Sequence, residues 1–390
     1  MRGKMKFALN IPTRLVFGAG ELKNIHEMEL PGRHALVVIS SGTAMKSHGY
    51  LDVLLAGLKR AGVDATVFDK ALPNPIKAHV MEGAQLCTSV GCDFVIGLGG
   101  GSSIDTAKAI AITAVMGGDF WDYVQGGTGG GKPVTRALPI VAIPSTAGTG
   151  TEIDLWGVIT NEQTQEKMGF GTPLIYPRLA IVDPELMLTI PPMLTAYQGF
   201  DAFFHAAEGY ISQAHSPISD LYALEAIRLL YKYLPVAVAD GNNMWARIKV
   251  AWASTLAGMV ESTSCCTGEH ALEHAMSAFY PKLPHGAGLI AISGAYFKTF
   301  KNDVMKRYMK MAEKMRQVKS ARPSDFLDAL EVMKRSCGVD NIRLSDWGIT
   351  MADFERFADN AIATGGAMLD LDPRFLNREE LIGIYMDSYK

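Results

Sequence analysis

The chain is poor in the patterns that mark several protein classes. Its five cysteines (Cys87, Cys92, Cys265, Cys266, Cys337) form no CxxC pair and no zinc-knuckle spacing in 390 residues. An odd number in a chain this long does not make a disulfide framework, so reduced, mostly buried thiols are expected. No apolar run reaches the ~18 residues that a membrane-spanning helix needs. The basic N-terminus is broken by Asn10, Pro12, Thr13 and Arg14 before any signal-peptide apolar core develops. A soluble, cytoplasmic protein with no membrane partner is expected. Charge is balanced as well: 37 Lys and Arg against 40 Asp and Glu leave a net charge of -3. That gives no electrostatic case for nucleic acid and favours a small neutral or anionic ligand. Internal repeats, charge blocks and low-complexity linkers are absent too.

What is there divides into two halves. The length exceeds the roughly 250–300 residues at which one hydrophobic core stops growing, which predicts two domains. Up to about Pro184, short apolar runs rich in β-branched residues ("ALVVIS", "DATVFD", "DFVIGLG", "LPIVAIPS", "LAIVD") alternate with helical stretches that end in glycine. Runs that are nearly continuous in apolar residues read as buried parallel strands, and the βαβα order predicts a doubly wound sheet. From about Leu186 almost everything has helical spacing. The expectation is an α/β dinucleotide-binding domain over residues 1–185 and an all-helical domain over 186–390, with the ligand in the cleft between them.

Two loops in the first half suit a nucleotide. In "FVIGLGGGSSIDTAKAIAI" a strand runs into Gly97, Gly99, Gly100 and Gly101, then into a helix opening with Ser102 and Ser103. A backbone without Cβ atoms lets a pyrophosphate approach, and the helix N-terminus offers it free N–H groups. The turn departs from GxGxxG, since Ser102 stands where the last glycine would fall, and such a turn also occurs with no ligand. Asp105 is equally explained as an acid that favours a helix N-terminus. The second loop, "IPSTAGTGTEID", supplies the hydroxyls of Ser145, Thr146, Thr149 and Thr151.

The second half concentrates histidine, of which the chain has only nine. In "FDAFFHAAEGYIS" Asp201 and His205 are i, i+4 on one helix face, as are His270 and His274 in "GEHALEHAMSAFYPKLPHGAGL". His285 follows Pro284, as suits a side chain presented at a helix start. A lone histidine of this kind reads as a partly buried, hydrogen-bonded residue. Five such residues together suit a divalent transition metal, Fe(II) or Zn(II), with a coordination position left for substrate. Spacing leaves His270 and His274 equal as the third ligand.

The chain resembles the iron-containing, group III alcohol dehydrogenases over almost its whole length, with a likeness to their NADP(H)-dependent butanol dehydrogenase members. The likeness rests on "FGAGELKNI", "PNP", "GGGSSIDTAKAIA", "IPSTAGTGTE", "FDAFFHAAEGYIS" and "HALEHAMSAFYPKLPHGAGL". It implies the two-domain, dehydroquinate synthase-like fold and a homodimer or larger assembly, with an edge strand near the N-terminus as a contact. It implies a metal held by Asp201, His205, His270 and His285. His274 would then lie by the nicotinamide and relay a proton, or only orient the site. For the cofactor it implies Gly100, Gly101, Ser102 and Asp105, with Asn74, Ser145, Thr146, Thr149 and Lys167. Lys167 is equally readable as an exposed lysine on a hairpin.

The first sheet strand ends "VVISSGTAMKSHG", where Ser40, Ser41, Gly42 and Thr43 bring no acid to repel a 2′-phosphate and Lys46 is near. NADP(H) is therefore expected to be preferred and NAD(H) accepted, although Ser and Gly are common in turns anyway. The expected reaction is reversible hydride transfer between the nicotinamide and a small alcohol or aldehyde. Phe203, Phe204, Trp156, Trp252 and Phe279 would line an apolar pocket for unbranched aliphatic substrates, or form core. Three other readings remain. A same-fold glycerol-type dehydrogenase or dehydroquinate-synthase-like enzyme is one, though Lys282 is the only base near the ligand segments. The others are a metallohydrolase and a non-catalytic nucleotide-binding module.

Overall fold

The structure, a computed structural model, describes residues 7–319 and 321–389. Strands β1 (Arg14–Phe17), β2 (His34–Ser40), β3 (Asp64–Ala71), β4 (Phe94–Gly99), β5 (Ile140–Pro144) and β8 (Leu179–Val182) form one sheet in the order β1-β8-β5-β4-β2-β3. Every neighbouring pair is parallel. β6 (Trp156–Asn161) and β7 (Glu166–Gly171) form a separate antiparallel hairpin.

Helices α1 (Ala44–Ser47), α2 (Tyr50–Arg60), α3 (Lys77–Val90) and α4 (Gly101–Met116) fill the connections. α3 ends on Gly91 in the left-handed region at φ 72°, as its sequence suggested. Successive residues of a strand face opposite ways, and both faces of this sheet are covered. Leu36, Val38 and Val95 pack with Val80 of α3 and Ile110 of α4. Ala35, Val37, Phe94 and Ile96 pack on the other side with Leu51, Leu54 and Leu58 of α2. Each of the Val, Leu, Ile and Phe side chains among them, fully buried, contributes roughly 1.5–3 kcal/mol. This explains why the runs are continuously apolar.

From β2 the chain moves outward to β3, then crosses back to lay β4 on the other side of β2. The order reverses there, and in an open parallel sheet the crevice beyond the carboxyl ends of the strands at such a point takes the ligand. The turns after β2 and β4 both open into it.

The rest is helical: α5 (Pro192–Ile211), α6 (Pro217–Ala239), α7 (Met244–Thr263), α8 (Gly268–Phe279), α9 (His285–Thr299), α10 (Met305–Arg316), α11 (Pro323–Ser336), α12 (Phe354–Leu369) and α13 (Arg378–Ser388). α6 begins with a reciprocal Ser216/Ser219 capping box and Pro217 at its first turn, then runs on through Pro235. α5 packs against α6, α7 and α9, so its second half is buried on every side. No described helix is long and apolar enough to cross a membrane.

Candidate metal centre and nucleotide cleft

A cavity of about 1060 Å³ lies between the sheet and the helices. Its floor is built by three helices. α5 presents Asp201 and His205 one turn apart, α8 presents His270 and His274, and α9 begins with His285 directly after Pro284. Asp201 Oδ1 lies 3.5 Å from His285 Nε2, 3.6 Å from His270 Nε2 and 3.8 Å from His205 Nδ1. Asp201, His270 and His285 form the tight trio, each offering an atom within 4.8 Å of the others. His205 flanks them with its ring stacked on His270 at 4.4 Å.

Asp201 Oδ1, His205 Nδ1 and His270 Nε2 are buried and have no hydrogen-bond partner. Unsatisfied buried polar atoms are rare in folded proteins, and here three converge. Imidazole nitrogens and a carboxylate facing one another are a donor set for a divalent transition metal, so the residues fit one. Burial acts to raise the Asp201 carboxyl, but the surrounding imidazoles outweigh it and hold it at about 2.

The far edges of the rings are held as well. Glu208, two turns along α5 from Asp201, hydrogen-bonds His270 Nδ1 and also accepts from Thr267 N at 2.7 Å and Thr267 Oγ1 at 3.0 Å. Glu273 hydrogen-bonds His285 Nδ1. The sequence reading missed both carboxylates; the i, i+7 spacing of Asp201 and Glu208 was the available signal. His270 and His274, which spacing could not rank, differ here. His270 faces Asp201, while His274 lies a turn further on, grouped with Glu273 and His285. Burial first, then the Lys167 charge, hold the His274 and His285 imidazoles well below the usual histidine range.

Lys167 is not the exposed hairpin lysine that was one expectation. It is 4% exposed, with Nζ 2.8 Å from Ser277 Oγ, 3.2 Å from Glu273 Oε2 and 3.3 Å from His285 Nδ1. Burial is affordable because Glu273 supplies the opposite charge. It is also a base beside the ligands, so Lys282, which is exposed, is not the only one.

At the other end, the turns after β4 and β5 interlock. A Cβ on Gly101 would sit 2.4 Å from Thr149 Cγ2, which explains glycine at the start of α4. Gly100, Gly101 and Ser102 line the cleft with Thr146 and Thr149. Ser102 Oγ donates to the Pro73 carbonyl at 2.6 Å. Asn74 reaches across to the helical half, donating to the Pro281 carbonyl at 2.8 Å. Ser145 is buried and ties the two turns together, its N–H donating to the Gly99 carbonyl at 2.8 Å.

Asp105 is the fifth residue of α4, past the first turn, so the reading as a helix-start acid is corrected. It accepts from Thr151 Oγ1 at 2.7 Å and Val158 N at 3.0 Å, and burial pushes its carboxyl up to about 7. Beyond β2, Ser40 lines the cleft and Gly42 is exposed outside it. Lys46 is paired at 2.5 Å with Asp69, an acid of β3 that the reading of the β2 turn alone did not include.

Of the five aromatic residues expected at the pocket, Trp156 alone lines the cleft. Phe203 and Phe204 are fully buried in the helical core, Trp252 packs edge-on against Phe17 at 5.6 Å, and Phe279 packs on Phe357 at 5.8 Å.

Residues 12–184 match the family described as iron-containing alcohol dehydrogenase, and residues 195–389 match the C-terminal part of the Fe-containing alcohol dehydrogenase family. The chain is 38% identical over 287 residues to a choline dehydrogenase of Bacillus subtilis, covering 73% of this chain and 70% of that protein. It is 33% identical over 391 residues to a 1,3-propanediol dehydrogenase of Citrobacter freundii, covering 97% and 98%. The solved structure of an archaeal halo-thermophilic alcohol dehydrogenase from a Red Sea brine pool superposes with a TM-score of 0.95 at 33% identity, covering 99% of this chain and 100% of that one. With both halves matched in order and the fold shared from end to end, the chain belongs to the iron-containing alcohol dehydrogenase family.

Proposed function

We propose that this protein interconverts a small alcohol and the corresponding aldehyde by hydride transfer with a nicotinamide cofactor. The observation that carries the reading is the convergence of unpartnered Asp201 Oδ1, His205 Nδ1 and His270 Nε2 at the floor of a cleft whose other end is a glycine turn opening a helix. Asp201, His205, His270 and His285 would hold the divalent ion, Fe(II) natively with Zn(II) as a substitute. The ion supplies Lewis acidity toward the substrate oxygen, and the nicotinamide gives or takes the hydride.

The chain's own groups do the rest. Glu208 and Glu273 fix the Nδ1 edges of His270 and His285, which turns the Nε2 edges inward. Gly100, Gly101 and the N–H of Ser102 receive the pyrophosphate at the start of α4, with Asn74, Ser145, Thr146 and Thr149 shaping its seat and Asp105 bracing the turn from behind. We assign the alcohol proton to the His274 imidazole, which burial and Lys167 keep neutral and whose Nδ1 has no partner.

We further propose that NADP(H) is preferred, with NAD(H) accepted, because Ser40, Ser41, Gly42 and Thr43 bring no acid to the end of β2 and the nearby Asp69 is neutralised by Lys46. A homodimer or larger assembly meeting at the β1 edge, working in the cytoplasm, completes the proposal. Quenching of NADPH fluorescence on titration with protein tests the reading against a metallohydrolase that uses the same ligands. Saturable binding supports the dehydrogenase; no binding supports the hydrolase.

A further inference from the structure

A second set of metal-type donors, sharing no residue with the histidine set, stands in the wall of the same cleft. α7 ends two residues beyond Glu261, and the bend that follows carries Cys265 and Cys266, both free thiols that line the cleft. One oxygen of Glu261 and the two sulfurs lie within 4.8 Å of one another. The carboxylate is held in place: Glu261 Oε2 accepts from Cys266 N at 3.1 Å, and the Glu261 carbonyl accepts from Trp156 Nε1 at 3.3 Å. Glu261 is 6% exposed, yet its Oε1 has no partner. A third sulfur is near, since Met368 Sδ lies 3.6 Å from Cys266 Sγ.

Two adjacent thiols and a carboxylate oxygen left unsatisfied make a small, soft, preorganised donor set. It differs in kind from the nitrogen and oxygen set of Asp201 and the histidines, and thiolate donors select thiophilic ions. We propose that Glu261, Cys265 and Cys266 form a separate binding site for a thiophilic divalent ion of the zinc or cadmium type, and that its occupation closes the cleft beside Trp156 and inhibits turnover.

Binding is acid–base chemistry without change of oxidation state. Each thiol gives up its S–H proton to solvent, the two thiolates and Glu261 Oε1 bond to the ion, and a water or the Met368 thioether completes four-coordination. Hydrogen bonding with Cys265, then burial, raise the Cys266 thiol, and burial raises the Glu261 carboxyl. Loading is therefore expected to strengthen as pH rises. Ion binding by these donors is separate from the reaction the enzyme performs, while the inhibition rests on the dehydrogenase reading above.

The test uses the full chain with its histidine site already loaded, to which Cd(II) is added while bound metals are counted. The expected result is one further cadmium per chain, a sulfur-to-cadmium charge-transfer band in the ultraviolet, no release of the first metal, and inhibition in step with the band. Cys265→Ala with Cys266→Ala should abolish the band and weaken cadmium uptake at least about tenfold while the first metal stays bound. Glu261→Gln, which keeps both thiols, should retain the band with measurably weaker uptake. Cadmium that displaces the first metal one for one, the absence of a band in the wild type, uptake unchanged in the cysteine variant, or cadmium bound with the band but without inhibition would each overturn the proposal.

Discussion

The Glu208 carboxylate grips Nδ1 of His270 while the opposite nitrogen of the same ring, Nε2, faces Asp201 at 3.6 Å. One imidazole thus joins a supporting carboxylate to the point where the donor atoms converge. Partners of this kind fix the tautomer and orientation of a metal-binding histidine. Glu208→Gln should therefore weaken divalent metal binding by about 10–100-fold with the fold intact. Competition against a chelator measures it, and an unchanged affinity would contradict the role.

His270→Ala and His285→Ala should lose metal and turnover together, by more than the about 100-fold that removing a supporting residue costs. His274→Ala should behave differently. It should keep its metal while kcat falls by about 10²-fold or more, the effect of a missing proton carrier. Metal content and kcat measured on the same preparations separate the two cases; a metal-free His274→Ala protein would make that residue a ligand.

Gly101→Ala tests the interlocked turns. The added methyl would meet Thr149 Cγ2 at 2.4 Å, and such overpacking costs about 1–3 kcal/mol. Denaturant unfolding should show that loss, and a reduced-nicotinamide titration should show weaker binding. Cofactor affinity equal to wild type would remove the turn from the nucleotide site.

How much of this was legible depends on the range of the interaction. The parallel strands could be read because both faces of the sheet are covered, which makes β4 and β5 apolar at every position. Asp201 and His205 could be read because i, i+4 spacing is a local property of one helix. Phe203 and Phe204 could not be assigned, because α5 is buried on all sides there and periodicity carries no direction. Lys167 is defined by Glu273 and Ser277, and Lys46 by Asp69. These are pairings across the fold, set by how a hairpin or a neighbouring strand docks, and no local spacing encodes them.

Asp372, tied to the start of α8 through the Gly268 N–H and close to Glu208, gives a pH prediction. Burial lifts its carboxyl to about 7 from an ordinary 3.8, beside Tyr296 and the Gly268 N–H, so the folded protein holds this proton more tightly than the unfolded chain. The stability it contributes is full below about 3.8 and is lost as pH rises through about 7. Asp372→Asn should flatten the stability profile across that window. Thermal unfolding at a series of pH values reads it, and a profile of the same slope in the variant would contradict the assignment.

The most direct test of the central claim is to strip the protein with a chelator, restore Fe(II) anaerobically or Zn(II), and follow reduced-cofactor absorbance with butyraldehyde and NADPH or NADH. The account predicts loss of absorbance only after metal is restored, faster with NADPH than with NADH. Turnover at full rate without metal, or none with any metal despite intact metal binding, would contradict it.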